Sequence, residues 1–393
     1  MEIESKLALR LKEIKLSSSI STNEKIKCLI KEGKKIINFS VGEPEIDTFP
    51  KIKEAAIKAI NDNYSHYTNS RGILELRHKI SEKLRNENKI DLNAENNIII
   101  VPGVKQALYY LNTALINPGD EAIIFEPYWS TYIDSLKLCG GVPITISGKE
   151  ENYFKPDLKL LRNKITPKTK YILFSNPCNP SGTLFNRKEL EEIVMIAKEH
   201  NILIISDEIY EKLVFDDNQF VSTASILEAE DITITINGFS KVTAMTGWRL
   251  GFIAANEAII KAITLVQQQI ATCPNSIVQK AAEVAFEQKE EIDQMVKIYQ
   301  RKRDLLVDGL NKIKGFSCNK PQGSFYVFPN ISGLDLGGST NVSLYLLEKT
   351  GIGVVPGIEY GNNFDNYVRF AYTITEKEIL EAISRLESAF GKK

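Results

Sequence analysis

Asn237-Gly-Phe-Ser-Lys-Val-Thr-Ala-Met-Thr-Gly-Trp-Arg-Leu-Gly251 follows directly on Ile232-Thr-Ile-Thr-Ile236, an alternating β-branched run that reads as a strand. Lys241 therefore sits just past a buried strand end, on a turn with glycine close on either side. The open carboxyl edge of an α/β sheet is where ligands usually bind. Apolar walls there would let the amine shed its proton, and a neutral amine is what forms a Schiff base with an aldehyde. Arg249, farther along the same stretch, offers a planar fork of donors for an anion. The same residue types also suit a solvated loop lysine and a surface arginine, because most such side chains face water.

Working outward, strand, turn and helix alternate in both directions. Ile98-Ile-Ile-Val101 is an unbroken apolar run, as expected of a strand covered on both faces. Pro102-Gly103 then opens a helix over Val104–Leu115, and a glycine turn at a helix start leaves backbone N–H groups free for a phosphate. Further strands are expected at Glu121–Phe125, Val142–Ile146, Tyr171–Ser175, Ile202–Ile205 and Gly251–Ala255. Glu126-Pro-Tyr-Trp129 ends the first of these, and Asn176-Pro-Cys-Asn-Pro-Ser-Gly182 makes a tight, rigid turn after the third. Ile202–Ile205 runs into Ser206-Asp-Glu-Ile-Tyr210, which puts Asp207 at a buried strand end, where an unpaired charge is costly. Nearer the N-terminus, residues 1–35 are charged and mostly helical in pattern, and Ile37–Val41 reads as a short strand ending in Gly42-Glu-Pro44. Pro50 suits the first position of a helix whose apolar face is Ile52, Ala55, Ala56, Ala59 and Ile60. Beyond residue 255, long amphipathic helices run to about residue 314, broken at Cys273-Pro-Asn275. A strand over Pro321–Phe328 and the segments Gly353–Gly357 and Tyr367–Tyr372 follow.

The 393 residues suffice for a large core and two domains, and a formal charge of −1 gives no reason to expect nucleic acid or an acidic membrane surface as partner. The five cysteines are scattered and odd in number with no CxxC spacing, and there are only three histidines, so neither a disulfide framework nor a metal site is indicated. No apolar run reaches membrane-spanning length and the first residues lack an apolar targeting region, so a cytoplasmic location is expected.

Ser240-Lys241 followed by Met245-Thr-Gly-Trp-Arg-Leu-Gly251 resembles the cofactor-lysine motif of the class I, fold-type-I aminotransferases, which use pyridoxal 5′-phosphate (PLP). Gly42-Glu-Pro44, Tyr67-Thr…Gly72…Leu76-Arg77, Glu126-Pro-Tyr-Trp129, Asn176-Pro-x-Asn-Pro-Ser-Gly182, Asp207…Tyr210, Pro321-Gln-Gly-Ser-Phe-Tyr326 and Arg369 match further family motifs in the same chain order, from about Ile37 to Tyr372. Gly103-Val-Lys-Gln-Ala-Leu108 is similar to the γ subgroup of aspartate aminotransferases. The resemblance implies an α/β fold: a large domain over 49–289 with a mainly parallel seven-stranded sheet between helices, and a smaller α+β domain from 1–48 and 290–393. It implies that Lys241 binds PLP and acts as general base, with Asp207 holding the ring nitrogen protonated and Asn179 and Tyr210 at the ring oxygen. Trp129 would stack on the ring; Gly103, Val104, Lys105, Ser240 and Arg249 would hold the phosphate. Arg369, Asn179 and the Gly42 backbone would fix the substrate α-carboxylate, and Lys105 the distal one. Tyr67 would reach the phosphate of a neighbouring subunit, which implies a homodimer with shared active sites.

The implied reaction moves an amino group between an L-amino acid and a 2-oxo acid, with aspartate/glutamate and 2-oxoglutarate/oxaloacetate leading and prephenate as an allied acceptor. Alternatives are another PLP reaction on the same fold (β-lyase, amino acid oxidase, cyclopropane-forming synthase), an aromatic or alanine-type aminotransferase, and a non-catalytic binding module. Three positions stay open, the first being Lys105, which could equally face solvent beside the phosphate turn. Arg71 suits either the surface or the active-site mouth, and Gly238 stands where many relatives carry a phosphate-binding serine. Cys178 and Glu208 read as structural, Cys178 because nothing nearby in sequence would activate it.

Overall fold

Six of the apolar runs and Ile232–Ile236, extended or trimmed by a residue or two, assemble side by side into one sheet. A computed structural model of the chain describes residues 6–14 and 18–393; residues 1–5 and 15–17, part of the expected N-terminal helical region, lie outside the described residues. The N-terminal elements are α1 (Ser18–Lys31), β1 (Ile37–Asn38), α2 (Pro50–Asn61) and α3 (Leu74–Lys83). The central stretch holds β2 (Ile98–Val101), α4 (Val104–Leu115), β3 (Glu121–Glu126), α5 (Thr131–Leu138), β4 (Val142–Ser147), α6 (Leu158–Lys164), β5 (Thr169–Ser175), α7 (Arg187–Glu199), β6 (Leu203–Asp207), β7 (Thr233–Gly238) and β8 (Gly251–Ala254). Then come α8 (Glu257–Ile270), α9 (Ser276–Ala282), α10 (Lys289–Asn311), β9 (Tyr326–Val327), α11 (Ser339–Tyr345), β10 (Ile352–Gly353), β11 (Val355–Pro356), β12 (Val368–Ala371) and α12 (Glu376–Phe390).

The seven-stranded sheet has the order β2-β8-β7-β6-β5-β3-β4. Strand β8 runs antiparallel to both its neighbours, and every other pair is parallel. A two-stranded pair, β1 with β10, and a three-stranded antiparallel sheet, β11-β12-β9, make up the smaller part. This is the expected class: a mainly parallel sheet between helices, with a smaller α+β part.

Why the strands read as continuous apolar runs is visible in their packing. Side chains alternate across a strand. In β2, Ile99 and Val101 join one core with Val104, Leu108 and Ile263, while Ile98 and Ile100 join another with Ile52, Leu76 and Ile80. In the same way Leu173 and Ile205 face the first core, whereas Ile172 and Ile204 face a third, packed on Ile193 and Val194 of α7. Both faces of these strands are therefore covered, which is why they read as unbroken apolar runs; β7 alternates isoleucine with small buried threonines, and the edge strand β4 stays partly exposed. Helix α7 starts on a reciprocal cap, Asn186 accepting from the Glu189 amide while Glu189 accepts from the Asn186 amide.

Three local expectations are corrected. Strand β1 covers only Ile37–Asn38 and β9 only Tyr326–Val327, because each finds a short partner and then turns toward the cleft. On α2, Ile52, Ala56 and Ala59 are buried, but Ile60 is 58% exposed, outside the buried stripe.

Two features place a cleft. Strand β3 pairs with β4 on one side and β5 on the other, so chain order reverses between β3 and β5; a crevice opens at the carboxyl ends of the strands at such a switch. Across from it, the Ala371 amide donates to Phe39 O at 2.8 Å and the Phe39 amide to Gly353 O at 2.8 Å, which draws the Ser40–Gly42 loop beside β12.

Candidate active site

The turns after β2, β3, β5, β6 and β7 all leave the same edge of the sheet and line one cavity of about 430 Å³. The Ser40–Gly42 loop, Tyr326 and Arg369 close it from the other side, and Asn23, Glu24 and Lys27 of α1 stand at its margin. Of the residues singled out in the sequence, Gly42, Val104, Lys105, Trp129, Asn179, Asp207, Tyr210, Ser240, Lys241, Arg249 and Arg369 all line it.

Asp207 closes β6, so the strand ladder fixes its backbone, and it is only 2% exposed. Its Oδ2 accepts from the Tyr132 hydroxyl at 2.7 Å and its Oδ1 from the Ile209 amide at 3.2 Å. Burial pushes its carboxyl up to about 6; the Tyr132 hydroxyl, the Ile209 amide and the Lys241 charge act against that rise. Asp207 forms no salt bridge among the described residues. It is an acid held ready for a cation.

Lys241 donates to Gly42 O at 2.6 Å and lies over the Phe325 ring at 5.5 Å. Burial brings its amine down to about 8, helped by the positive charge of Arg369 and opposed by Glu43. At that value about a tenth of the amine is neutral at pH 7, far more than for an ordinary lysine. Tyr210 shares a hydroxyl–hydroxyl hydrogen bond of 2.9 Å with Tyr326, their rings meeting edge-on at 5.8 Å. Any side chain at Gly42 would overlap the Tyr326 hydroxyl, so the loop approaches as closely as it does only with glycine there.

Arg369 is 4% exposed, with its guanidinium over the Tyr326 ring at 4.5 Å. Its Nη2 donates to Ser40 O at 2.7 Å and its Nη1 to Asn179 Oδ1 at 3.4 Å, while its Nε is buried without a partner. A buried donor without an acceptor is costly, and an anion in the cavity is what relieves it.

At the other end, Gly103 caps α4 with φ 88°, and a Cβ there would come within 2.6 Å of Arg249 Nη2. Gly103 itself, singled out for the phosphate, does not line the cavity, whereas Val104 does. Arg249 adopts the left-handed φ of 57°, uncommon outside glycine, and is held by Nη1 donating to Thr246 O at 2.9 Å. The free helix start and the guanidinium form a cradle for an anion. Gly238, where a serine was expected, is explained by packing: a Cβ would meet Leu250 O at 2.9 Å and the Gly251 Cα at 3.0 Å. Lys105 lies over the Trp129 indole at 5.3 Å, and burial, then the nearby Arg249 charge, lowers the pKa of its amine.

The structure does not bring every singled-out residue into the cavity. Tyr67 lies outside it and is 86% exposed. Arg71 also stays outside, its Nη1 donating to Glu95 O at 2.8 Å. Cys178 is held with its thiol pushed up to about 11 by burial, which keeps it a poor nucleophile. Glu208 turns away from the cavity to accept from Ser206, Ser222 and the Thr223 amide. Tyr132 and Tyr326 were missed by sequence reasoning. Tyr132 sits three residues after Trp129, and its ring meets the indole edge-on at 5.7 Å; that spacing was the available signal. Tyr326 ends the Pro321–Tyr326 motif.

The model for aminotransferase class I and II matches residues 34–386. The chain belongs to the class I and II aminotransferases. It is 39% identical to an aspartate aminotransferase of Sulfurisphaera tokodaii over 91% of this chain and 90% of that one. It is 37% identical to a probable aspartate/prephenate aminotransferase of Aquifex aeolicus over 98% of both. Aspartate aminotransferase from Thermus thermophilus with maleate superposes with a TM-score of 0.93 at 34% identity, covering 98% of this chain and 99% of that one. The family and reaction class implied by the Lys241 motif are thus those of the chain: it is an aminotransferase of a family that uses PLP. Among the described residues no helix is long and apolar enough to cross a membrane.

Proposed function

We propose that this aminotransferase holds PLP on Lys241 and exchanges amino groups between aspartate or glutamate and 2-oxoglutarate or oxaloacetate. One observation carries the reading: five basic side chains (Lys27, Lys105, Lys241, Arg249, Arg369) and only two acids (Glu24, Asp207) line one cavity. Such a site suits a ligand set with several negative charges, namely a phosphate and two carboxylates.

The residues fit the cofactor. Asp207 lacks a cation, the Gly103–Val104 turn with Arg249 is a cradle that a Cβ would fill, and Lys241 has the lowered amine that carbonyl chemistry needs. When bound, PLP supplies an aldehyde for that amine and an electron-withdrawing ring. Asp207 would hold the protonated ring nitrogen, its carboxylate fixed by the Tyr132 hydroxyl. Trp129 would cover the ring face, Asn179 and Tyr210 would serve its oxygen, and Ser240 and Arg249 its phosphate. Arg369 and the Gly42 backbone clamp the substrate α-carboxylate, which aims its α-hydrogen at Lys241. The lysine amine then takes that proton as general base, and a pKa near 8 suits it to the task. Lys105, at the mouth beside Trp129, meets the distal carboxylate.

Exposed Tyr67 serves the partner's site in a homodimer, and the same reading divides the chain into a large unit over 49–289 and a small one from 1–48 and 290–393. Sedimentation of the active protein at twice the chain mass is expected; a fully active monomer contradicts it. The Aquifex aeolicus relative, a probable aspartate/prephenate aminotransferase, supports prephenate as the second acceptor to try. The deciding experiment is a donor panel with 2-oxoglutarate. Aspartate is expected to give the highest kcat/KM, with glutamate as product. Faster turnover of aromatic donors or alanine, or release of ammonia or peroxide in place of glutamate, would reject the acidic substrate or the reaction.

A further inference from the structure

The loop that carries Lys241 is a wall between two cavities. Ser240 and Lys241 face the active site, whereas Gly238, Phe239, Val242 and Thr243 face a second cavity of about 280 Å³. That volume, about 280 Å³, is just below the usual range for ligand sites, about 300–1,000 Å³.

The lining of the second cavity specifies a ligand. Its walls are aromatic: Phe239 meets Phe286 edge-on at 5.5 Å and Phe252 at 6.4 Å. Its charged lining is balanced, with Lys83, Lys212 and Lys289 against Glu87, Glu211 and Asp293. Four of these are satisfied. Lys83 pairs with Glu211, and Asn88 bridges them, accepting from Lys83 at 2.6 Å and donating to Glu211 at 2.7 Å. Lys212 pairs with Glu87 at 2.8 Å. The other two are not: Lys289 and Asp293 form no ion pair among the described residues. They stand four apart on α10, so they share one helix face, and both are exposed at the cavity. An aromatic interior with one free ammonium and one free carboxylate at its rim is complementary to a ring bearing a carboxylate and an ammonium.

We propose that this second cavity is a regulatory site for a zwitterionic aromatic amino acid. The ring enters among Phe239, Phe252 and Phe286, the ligand carboxylate meets Lys289 and its ammonium meets Asp293. A ligand there packs on the rear of the 238–243 loop, so it binds one loop arrangement better than another and shifts the position of Lys241. Coupling between two sites requires that difference in affinity.

The test uses the holoenzyme and L-phenylalanine as probe. In initial-rate assays with aspartate and 2-oxoglutarate, L-phenylalanine is expected to change kcat, an effect that saturating aspartate does not remove. Lys289→Ala and Asp293→Ala, both on exposed positions outside the catalytic machinery, should keep the basal kcat and weaken the effect about tenfold or more, as loss of a charged hydrogen bond does. Calorimetry reads binding without turnover, so it stands even if aspartate is not the substrate. Indole, which lacks both charges, should bind this site about a hundredfold more weakly than L-phenylalanine. Inhibition that saturating aspartate abolishes, variants that respond as wild type, indole binding as tightly, or no binding beyond the active site would each overturn the proposal.

Discussion

The candidate active site is held at its two ends by different parts of the chain. At the ring end, Asp207, Trp129, Asn179 and Lys241 stand on or just beyond β6, β3, β5 and β7, strands locked in one continuous ladder. At the carboxylate end, Ser40–Gly42, Tyr326 and Arg369 come from segments far apart in sequence and meet through a few bonds, among them Arg369 to Ser40 O and Lys241 to Gly42 O. The first end inherits its geometry from a fully buried sheet. The second depends on how short strands and a loop dock. Changes at the ring end should therefore appear in kcat, and changes at the carboxylate end in KM.

The sharpest break of that contrast is Lys241→Ala. Removing the proposed base and covalent anchor should lower kcat by about 10⁴-fold or more, with the fold intact by circular dichroism. Asp207→Asn should lower kcat by about 10³-fold with a modest change in KM, since the neutral amide cannot hold the ring proton. Arg369→Ala should reverse the pattern, with kcat/KM down about 10²-fold mainly through KM, as expected on losing a charge-assisted pair. An equal fall in kcat for Arg369→Ala would erase the distinction between the ends. Tyr132→Phe removes the 2.7 Å bond to Asp207 Oδ2 without touching substrate. About a tenfold drop in kcat at unchanged KM is expected, with a shifted pH titration of the cofactor absorbance; a changed KM with an unmoved titration would make Tyr132 merely structural.

The smallest effect concerns stability. In cofactor-free protein the Asp207 carboxyl is raised from its ordinary 3.8 to about 6 by burial, so the folded state holds the proton more tightly than the unfolded state. Its contribution to stability is fully present below about pH 4 and is lost as pH rises through about 6. The Tm advantage of Asp207→Asn over wild type should accordingly grow between pH 4 and 7 and then level off. A difference that does not vary with pH would show that Asp207 is not titrating in that window.

Legibility in the sequence followed the same division. Strand β2 and helix α4 match the expected ranges because an uninterrupted apolar run and a glycine start leave little choice of boundary. Asp207 was legible because a charge at a buried strand end calls for a partner, whereas Lys241, whose chemistry suited a solvated loop lysine equally well, was legible only through the resemblance of its stretch to the family motif. The short strands β1 and β9 were overextended, since their length is set by a partner distant in sequence and not by their own pattern. Tyr132 was hidden because only packing turns its hydroxyl toward Asp207; the chain between them carries no mark of the contact. Gly238 stands where many relatives carry a serine, and the tight approach of the Leu250 and Gly251 backbone that a side chain would meet there is set by packing that the sequence does not display. The second cavity was equally invisible, because its walls come from α3, the Lys241 loop and α10.

The central claim is that the Lys241 amine bonds covalently to a carbonyl cofactor above Asp207. Borohydride reduction of the PLP-loaded protein, followed by peptide mass spectrometry, tests it most directly. The account predicts one reduced adduct of phosphopyridoxyl mass, on the peptide containing Lys241 and absent in Lys241→Ala. No adduct, or one on Lys105 that survives in Lys241→Ala, would contradict it.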